Sequence, residues 1–481
     1  MLFNSIEFLL FLPLTFLLYW FVFRTLHRQN LFLVAASYLF YGWWDCRFLL
    51  LIALTTVCSY VSGLLIGNNT DNRRLRKTIC TLNILLNLGI LAIAKYYNFF
   101  ADNLRDILNI IGLHADCVTL DILLPVGISF YTFQALSYSI DVYNRKIEPC
   151  HDPCAFFAYI SFFPQLVAGP IERATNLLPQ FQQDRTFSYD KAVDGCRQML
   201  WGFFKKVVVA DNCAMAVNTI WDNYTQESGL TLLLGGLLFT IQIYGDFSGY
   251  SDIAIGTARL FGINLMRNFN SPYFSRDIAE FWRRWHISLT TWFRDYVYIP
   301  LGGSRCSRLK TMRNTLLIFL LSGLWHGANW NFILWGAYHA CLFFPLMLLG
   351  CNRKHTGQVA QGRLIPSAKE AMQMLSTFLL VLIGWIIFRA ESATQACDYL
   401  SHICSTSILH LSSFPGKKVL IFALIMMTME WIQRDKQHAL QFSHYHGPLK
   451  MQWARVLCYY LFILGILAFA GVQSDFIYFQ F

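Results

Sequence analysis

Long apolar segments follow one another along nearly the whole chain and are separated by short polar loops. A helix needs roughly 20 apolar residues to cross about 30 Å of hydrocarbon, and runs of this kind recur from Phe8 to Gly471. The region 314–349 is too long for one span, and the glycines within it predict a break between two helices. The pattern predicts an all-α polytopic integral membrane protein with spans near 8–23, 30–45, 48–67, 78–99, 119–140, 155–170, 196–220, 230–262, 314–349, 371–389, 417–433 and 453–473.

Composition supports a chain that lies in the membrane along most of its length. Of its 481 residues, 56% are hydrophobic and 14% are charged, whereas soluble domains carry about 25% charged residues. We find no internal repeat and no long soluble insertion, so the sequence predicts a single membrane domain over residues 1–481. Apolar pieces shorter than about 17 residues are expected to be re-entrant or packed inside the bundle.

The net charge of +10 reflects basic residues in short loops. Arg24 and Arg28 follow the first span, and the loop 73–77 is strongly basic. Positive loops tend to stay in the cytoplasm, which predicts a multi-pass membrane protein with its N-terminus outside. No basic region precedes the first apolar stretch, so we interpret it as a retained helix and not as a signal peptide. The charge does not indicate nucleic-acid binding.

The cysteines offer one close group of metal-ligand types, Cys150, His151 and Cys154. A zinc site needs a second ligand pair, which this segment does not supply. We therefore predict free thiols used as small apolar residues and no metal site.

Ionisable residues inside apolar segments are costly and tend to carry function. Asp246, Gly249 and Asp252 follow one another at intervals of three, so they share one face of a helix. The two carboxylates could hold a proton, orient a histidine or form an ion pair with an arginine. The sequence does not decide between these roles. Two other apolar segments, 124–141 and 163–173, are interrupted by proline, glycine and polar residues. Each could either pack between helices or form a wall of a functional site.

A basic and aromatic segment runs from Phe281 to Gly303 and continues in basic residues to Arg313. Seven basic residues face one acid between positions 283 and 313, which predicts a cytoplasmic location. Arginine matches phosphate geometry well, so the segment could receive an anionic ligand. Topology signalling and binding of lipid head groups explain the same pattern.

His326 lies deep in apolar sequence, between Gly323 and Gly327 and next to Trp325. An intramembrane histidine favours a functional role, and His339 is a weaker candidate of the same kind. No G-x-S-x-G elbow is present, so a serine-hydrolase mechanism has no support.

Together, these motifs resemble the membrane-bound O-acyltransferase (MBOAT) family. The likeness is to its bacterial branch, which contains the membrane component of alginate O-acetylation and the D-alanyl transfer protein of teichoic acid. It covers nearly the whole chain and is most specific at 125–141, 163–173, 246–256, 281–303 and 322–330. The resemblance implies a ring of about 11 transmembrane helices with re-entrant and short interfacial helices around a central funnel. It also implies that His326 is the family's invariant histidine and that His286 is its second polar residue.

The resemblance implies acyl transfer from a cytoplasmic thioester to a hydroxyl at the bacterial plasma (inner) membrane, with acetyl-CoA or another acyl thioester as donor substrate and no bound cofactor. His326 would be the general base for direct attack of the hydroxyl, and His286 would orient the donor or handle a proton. A covalent acyl-enzyme on His326 or another residue stays open as the alternative mechanism. Expected partners are membrane lipid, an acyl-CoA or acyl carrier protein, a periplasmic acetyltransferase partner and a cell-envelope or exported polysaccharide as acceptor. Three alternatives stay open. One is D-alanyl transfer from a carrier protein, and another is a transporter or flippase that uses the carboxylates of the apolar segment 230–262. The third is a scaffold without chemistry of its own. The predicted substrate-binding residues are Arg283, Arg284, Trp285, Arg294, Asp246, Asp252, Trp325 and Asn329.

Overall fold

The computed structural model describes residues 1–113, 119–120, 125, 127–167, 169–410, 414–441, 451–471, 474 and 476–477. Within these ranges all regular secondary structure is helical, as the sequence predicts. The α-helices are α1 Ile6–Leu17, α2 Leu26–Gly42, α3 Phe48–Asn68, α4 Arg73–Leu91, α5 Tyr97–Ile110, α6 Ile128–Tyr143, α7 Pro153–Ser161, α8 Phe163–Leu166, α9 Ala174–Phe181, α10 Tyr189–Phe203, α11 Asp211–Asp222, α12 Gly229–Leu260, α13 Ile278–Arg284, α14 Ile287–Phe293, α15 Arg308–His326, α16 Trp330–Leu348, α17 Ala368–Arg389, α18 Ala393–Ile403, α19 Lys417–Ile432 and α20 Gln452–Phe469.

Six helical segments among the described residues are long and apolar enough to cross a membrane, which makes this a multi-pass membrane protein. A further apolar helical segment, Ile6–Val22, is shorter than these six. The expected number of about 11 spans stays a prediction, because several predicted spans form helices of 17 residues or fewer, such as α2 and α6. The six segments are Phe48–Asn68, Arg73–Ile110, Gly229–Leu260, Trp330–Leu348, Ala368–Arg389 and Gln452–Phe469.

The long apolar region 314–349 forms two helices, which confirms the predicted break. α15 ends at His326, and the chain is extended at Gly327 before α16 begins. Asn329 caps α16, because its side chain accepts a hydrogen bond from the backbone N–H of Asn331 at 3.2 Å. The two helices pack closely through Gly323 and Gly336, where any side chain would overlap the backbone of the other helix. The break therefore places His326 at a helix end.

The described chain divides into two compact units. The first contains residues 1–192 and 257–266, and the second contains residues 193–256 and 267–481. The first unit has an aromatic core in which the rings of Phe8, Phe11, Phe40 and Phe163 contact one another. The second unit holds most of α12, all of α13 to α20, and both candidate histidines. The single domain expected from the sequence stays a prediction.

Candidate active site

His286 lies in the sharp turn between α13 and α14, in the second unit. Its backbone is left-handed, with φ +42° and ψ 55°, a conformation that a non-glycine residue adopts only at a cost. The side chain is 1% exposed, and its ring contacts Phe247 edge-on at 4.6 Å between centroids. The turn therefore directs a histidine into the interior, which is a strained arrangement of the kind found at functional sites.

Asn268 determines which nitrogen of His286 carries the hydrogen. Its amide oxygen accepts hydrogen bonds from the backbone N–H of Ser288 at 3.4 Å and from the Ser288 hydroxyl at 3.0 Å. Its amide nitrogen donates to the hydroxyl of Ser251 at 3.1 Å. The same amide oxygen lies 3.1 Å from Nδ1 of His286, and an oxygen of this kind can only accept. Nδ1 of a neutral His286 is therefore protonated, and Nε2 is left as the basic nitrogen.

His326 is the last residue of α15 and lies among aromatic rings. It is 5% exposed, and its ring meets those of Trp335 and Phe388 edge-on at 5.3 and 5.2 Å. The ring of Trp325 lies 5.0 Å from His326 and 5.8 Å from His286. Trp325 is thus the aromatic neighbour that the two histidines share.

Both histidines line one cavity of about 50 Å³. The residues that line it are mostly apolar and aromatic and include Trp285, and Thr290 and Ser322 contribute hydroxyl groups. A space of this size holds one or a few water molecules or a small acyl group. Two titratable imidazoles facing a small, largely apolar cavity form an arrangement that can move a proton.

Asp246 and Asp252 lie on one face of α12, as their spacing predicts, and both pair with lysines. Asp246 binds Lys206 at 2.8 Å, and Asp252 binds Lys205 at 2.6 Å. Gly249 between them packs against the backbone of Gly202, so the two helices approach closely enough for the lysines to reach. Of the roles that the sequence left open, the structure contains the ion pair, with lysine as the partner.

The Lys205 pair belongs to a charged cluster that reaches towards the histidine site. Lys205 also lies 3.7 Å from Glu430, which accepts a hydrogen bond from the hydroxyl of Tyr244. A cavity of about 20 Å³ is lined by these residues and by Arg267 and Asn268. Asn268 therefore lines the charged cavity and also contacts His286.

The predicted arginine ligands and Asn329 are engaged within the protein. Arg283 donates to the backbone carbonyls of residues 352 and 355 at 2.7 and 2.8 Å. Arg284 pairs with Glu280 at 2.8 Å. Arg294 pairs with the adjacent Asp295 at 2.7 Å, and its side chain is 57% exposed. Asn329, besides capping α16, donates to the carbonyl of residue 391 at 3.0 Å. Their role in substrate binding stays a prediction.

Known proteins match the chain over the region that contains this site. A family model described as MBOAT, the membrane-bound O-acyltransferase family, matches residues 150–381. A protein of Pseudomonas aeruginosa named as a probable alginate O-acetylase, AlgI, is 44% identical over 82% of this chain and 73% of its own length. The protein of the same name from Pseudomonas putida is 38% identical over 100% of both chains. A peptidoglycan O-acetyltransferase of Helicobacter pylori is 31% identical over 100% of this chain and 98% of its own.

The chain belongs to the membrane-bound O-acyltransferase family. Membership confirms the resemblance inferred from the motifs and identifies the chain as an acyltransferase. His286 and His326 both lie inside the matched region. In this membrane-bound O-acyltransferase the two histidines that the resemblance singled out line the same cavity.

The predictions from the sequence did not include three residues around the site, Lys205, Lys206 and Asn268. The sequence contains a recognisable signal for the two lysines but none for the asparagine. Lys205 and Lys206 are ionisable residues inside the apolar region 196–220, so the criterion that selected the two aspartates would have found them. Asn268 is one of several polar residues in a loop, and nothing in its local sequence marks it. Only the fold shows that its side chain meets His286.

Proposed function

We propose that this protein transfers an acetyl group from a cytoplasmic thioester, acetyl-CoA, towards a hydroxyl of a cell-envelope or exported polysaccharide. The observation that supports this most is the cavity that His286 and His326 share. The acceptor class follows the names of the relatives, which refer to alginate and peptidoglycan.

The proposed chemistry is direct transfer with His326 as general base. The acceptor hydroxyl gives its proton to the imidazole of His326 while its oxygen forms a bond to the thioester carbonyl carbon. The carbon–sulfur bond then breaks, and the leaving thiolate takes the proton back from the imidazolium. The balanced products are the acetyl ester and the free thiol.

His286 is proposed to orient the donor or to handle a proton beside His326. With Nδ1 held by Asn268, its Nε2 can accept a hydrogen bond but cannot donate one in the neutral state. Such a group suits contact with a hydroxyl or an imidazolium better than contact with a carbonyl oxygen. This favours the role in proton handling.

We place the donor in the cytoplasm and the acceptor outside the plasma (inner) membrane, with the N-terminus outside. The basic loops support this orientation. Transfer across the membrane would then require a periplasmic acetyltransferase partner that receives the acetyl group and passes it to the polymer. Membrane lipid surrounds the apolar helices, of which α20 exposes residues such as Leu457 and Leu464.

The alternatives differ in their donor or in lacking acyl chemistry. D-alanyl transfer would take its donor from a carrier protein. A transporter would use Asp246 and Asp252 as a proton pathway, and the ion pairs that both form with buried lysines favour a supporting role instead.

The test replaces His326 with glutamine in cells that lack the chromosomal copy, followed by mass analysis of the surface polysaccharide. We expect normal amounts of membrane protein and loss of the ester-linked acetyl groups. His339→Gln is the matched control, because His339 is also a fully buried histidine but does not line the cavity. Unchanged acetylation in His326→Gln would refute the proposal, and loss of D-alanyl esters in place of acetyl esters would support the alternative donor.

A further inference from the structure

Three side chains with metal-binding atoms come together in the first unit. They are His27 at the beginning of α2, and Asp152 and Cys154 at the beginning of α7. One ligand atom from each lies within 4.8 Å of the other two. His27 is far from the other two in the sequence, so the group that the sequence offered, Cys150, His151 and Cys154, differs from the one that the fold assembles.

The distance between the two strongest ligands fits a shared metal ion. Sγ of Cys154 lies 4.0 Å from Nε2 of His27. Typical Zn–S and Zn–N bonds at a tetrahedral angle place these two atoms about 3.6 Å apart. A shift of a few tenths of an ångström would close the difference, and His27 is exposed and free to make it.

The ligand types favour zinc over other common ions. Thiolate and imidazole suit zinc, whereas Ca²⁺ and Mg²⁺ take oxygen ligands almost exclusively. The thiolate of Cys154 and the carboxylate of Asp152 would both lie at the N-terminus of α7, where the helix dipole favours negative charge.

The segment that carries two of the ligands is held in place by its neighbours. The backbone N–H of Cys150 donates to the hydroxyl of Tyr138 at 3.0 Å, and the hydroxyl of Tyr60 donates to the carbonyl of His151 at 2.9 Å. Oδ1 of Asp152 accepts from the backbone N–H of Cys154 at 2.8 Å. That hydrogen bond orients the carboxylate and leaves its second oxygen for a metal. A ligand loop fixed in this way loses little entropy when an ion binds.

We propose that His27, Asp152 and Cys154 bind one zinc ion, with water as the fourth ligand. The ion joins the N-terminus of α2 to that of α7 and stabilises the first unit, because α2 and the segment before α7 would then share one tetrahedral centre.

The test measures zinc bound to the purified full-length protein after incubation with zinc and removal of the excess. We expect about one zinc per chain in the wild type and loss of nearly all of it in His27→Gln and in Cys154→Ser. Cobalt serves as an optical probe, because a thiolate ligand gives a charge-transfer band that only variants retaining Cys154 should show. The melting temperature should rise with added zinc in the wild type and not in His27→Gln.

Two matched controls separate the assembled group from other ligands. His151→Gln removes the histidine next to the ligands in the sequence, and Cys46→Ser removes another thiol of the same unit; both should bind zinc as the wild type does. His27 is exposed, so its replacement leaves the fold intact even if Cys154→Ser does not fold. Full zinc binding by His27→Gln, or a wild type that binds none, would overturn the proposal.

Discussion

Asn268 positions His286, and its replacement offers a sensitive test of the site. Asn268→Leu keeps the branched shape and the number of non-hydrogen atoms of the side chain but removes the oxygen that accepts from Nδ1 of His286 and from Ser288. It also removes the donor to Ser251. Each buried donor left without an acceptor costs about 1–3 kcal/mol. The Ser288 hydroxyl can turn towards Nδ1, which lies 3.4 Å away, so we expect a net destabilisation of about 2–4 kcal/mol.

The effect on catalysis should exceed what the loss of stability explains. Without Asn268, neither tautomer of His286 is favoured and its ring can turn, and losing such a supporting hydrogen bond to a functional histidine typically costs about 10–100-fold in activity. We expect this drop in the acetylation rate per folded protein. Asn268→Asp retains an acceptor for Nδ1, so it should recover a large part of the rate that Asn268→Leu loses.

The control is another buried asparagine of the same unit. Asn212 donates to the carbonyls of residues 207 and 208, both at 3.1 Å, and is not among the residues that line the histidine cavity. Asn212→Leu should lower the unfolding midpoint in detergent by a smaller amount, because it leaves carbonyl groups and no N–H or O–H donor without their partner, while the rate per folded protein stays the same. Equal rates for Asn268→Leu and Asn212→Leu, after correction for folded protein, would show that Asn268 only stabilises the fold.

Other predictions concern the charged groups. Lys206→Met leaves the buried carboxylates of Asp211 and Asp246 uncompensated and should cost about 3–5 kcal/mol of unfolding free energy; a loss below 1 kcal/mol would contradict the ion-pair assignment. Burial raises the pKa of Glu172 to about 7, so the folded state binds a proton that the unfolded state releases above about pH 4.5. Stability should therefore fall by up to about 3 kcal/mol between pH 4.5 and 7, and Glu172→Gln should abolish that slope in denaturation measured across this range. Arg283→Ala should make loop 351–362 more sensitive to protease; unchanged cleavage together with a raised KM for acetyl-CoA would show instead that Arg283 binds the donor.

The sequence predicts features that depend on local spacing. The break between α15 and α16 follows from the glycines near His326, and the common face of Asp246 and Asp252 follows from helical periodicity. The partners of these side chains do not follow from local spacing. That each aspartate meets a lysine depends on how closely α12 approaches the helix that contains Gly202, which only the fold determines.

The same reason explains why the sequence did not reveal the contact of Asn268 with His286 or the grouping of His27 with Asp152 and Cys154. Asn268 acts through His286, which follows it by 18 residues across a turn with left-handed backbone. His27 and Cys154 are separated by 127 residues. The number of spans is a different case, because hydropathy gives apolar segments but not the lengths of the helices that they form, as α6 with 16 residues shows.

The most direct test of the catalytic role of His326 is acetyl transfer in membrane vesicles that expose their cytoplasmic face to isotope-labelled acetyl-CoA. The measurement compares label on the envelope polysaccharide for the wild type and for His326→Gln, at equal amounts of folded protein. Loss of a general base predicts a fall of about 10²–10⁴-fold in the rate, while His339→Gln keeps the wild-type rate. A His326→Gln rate within a factor of about two of the wild type, too small a change for the loss of a general base, would contradict the proposed mechanism.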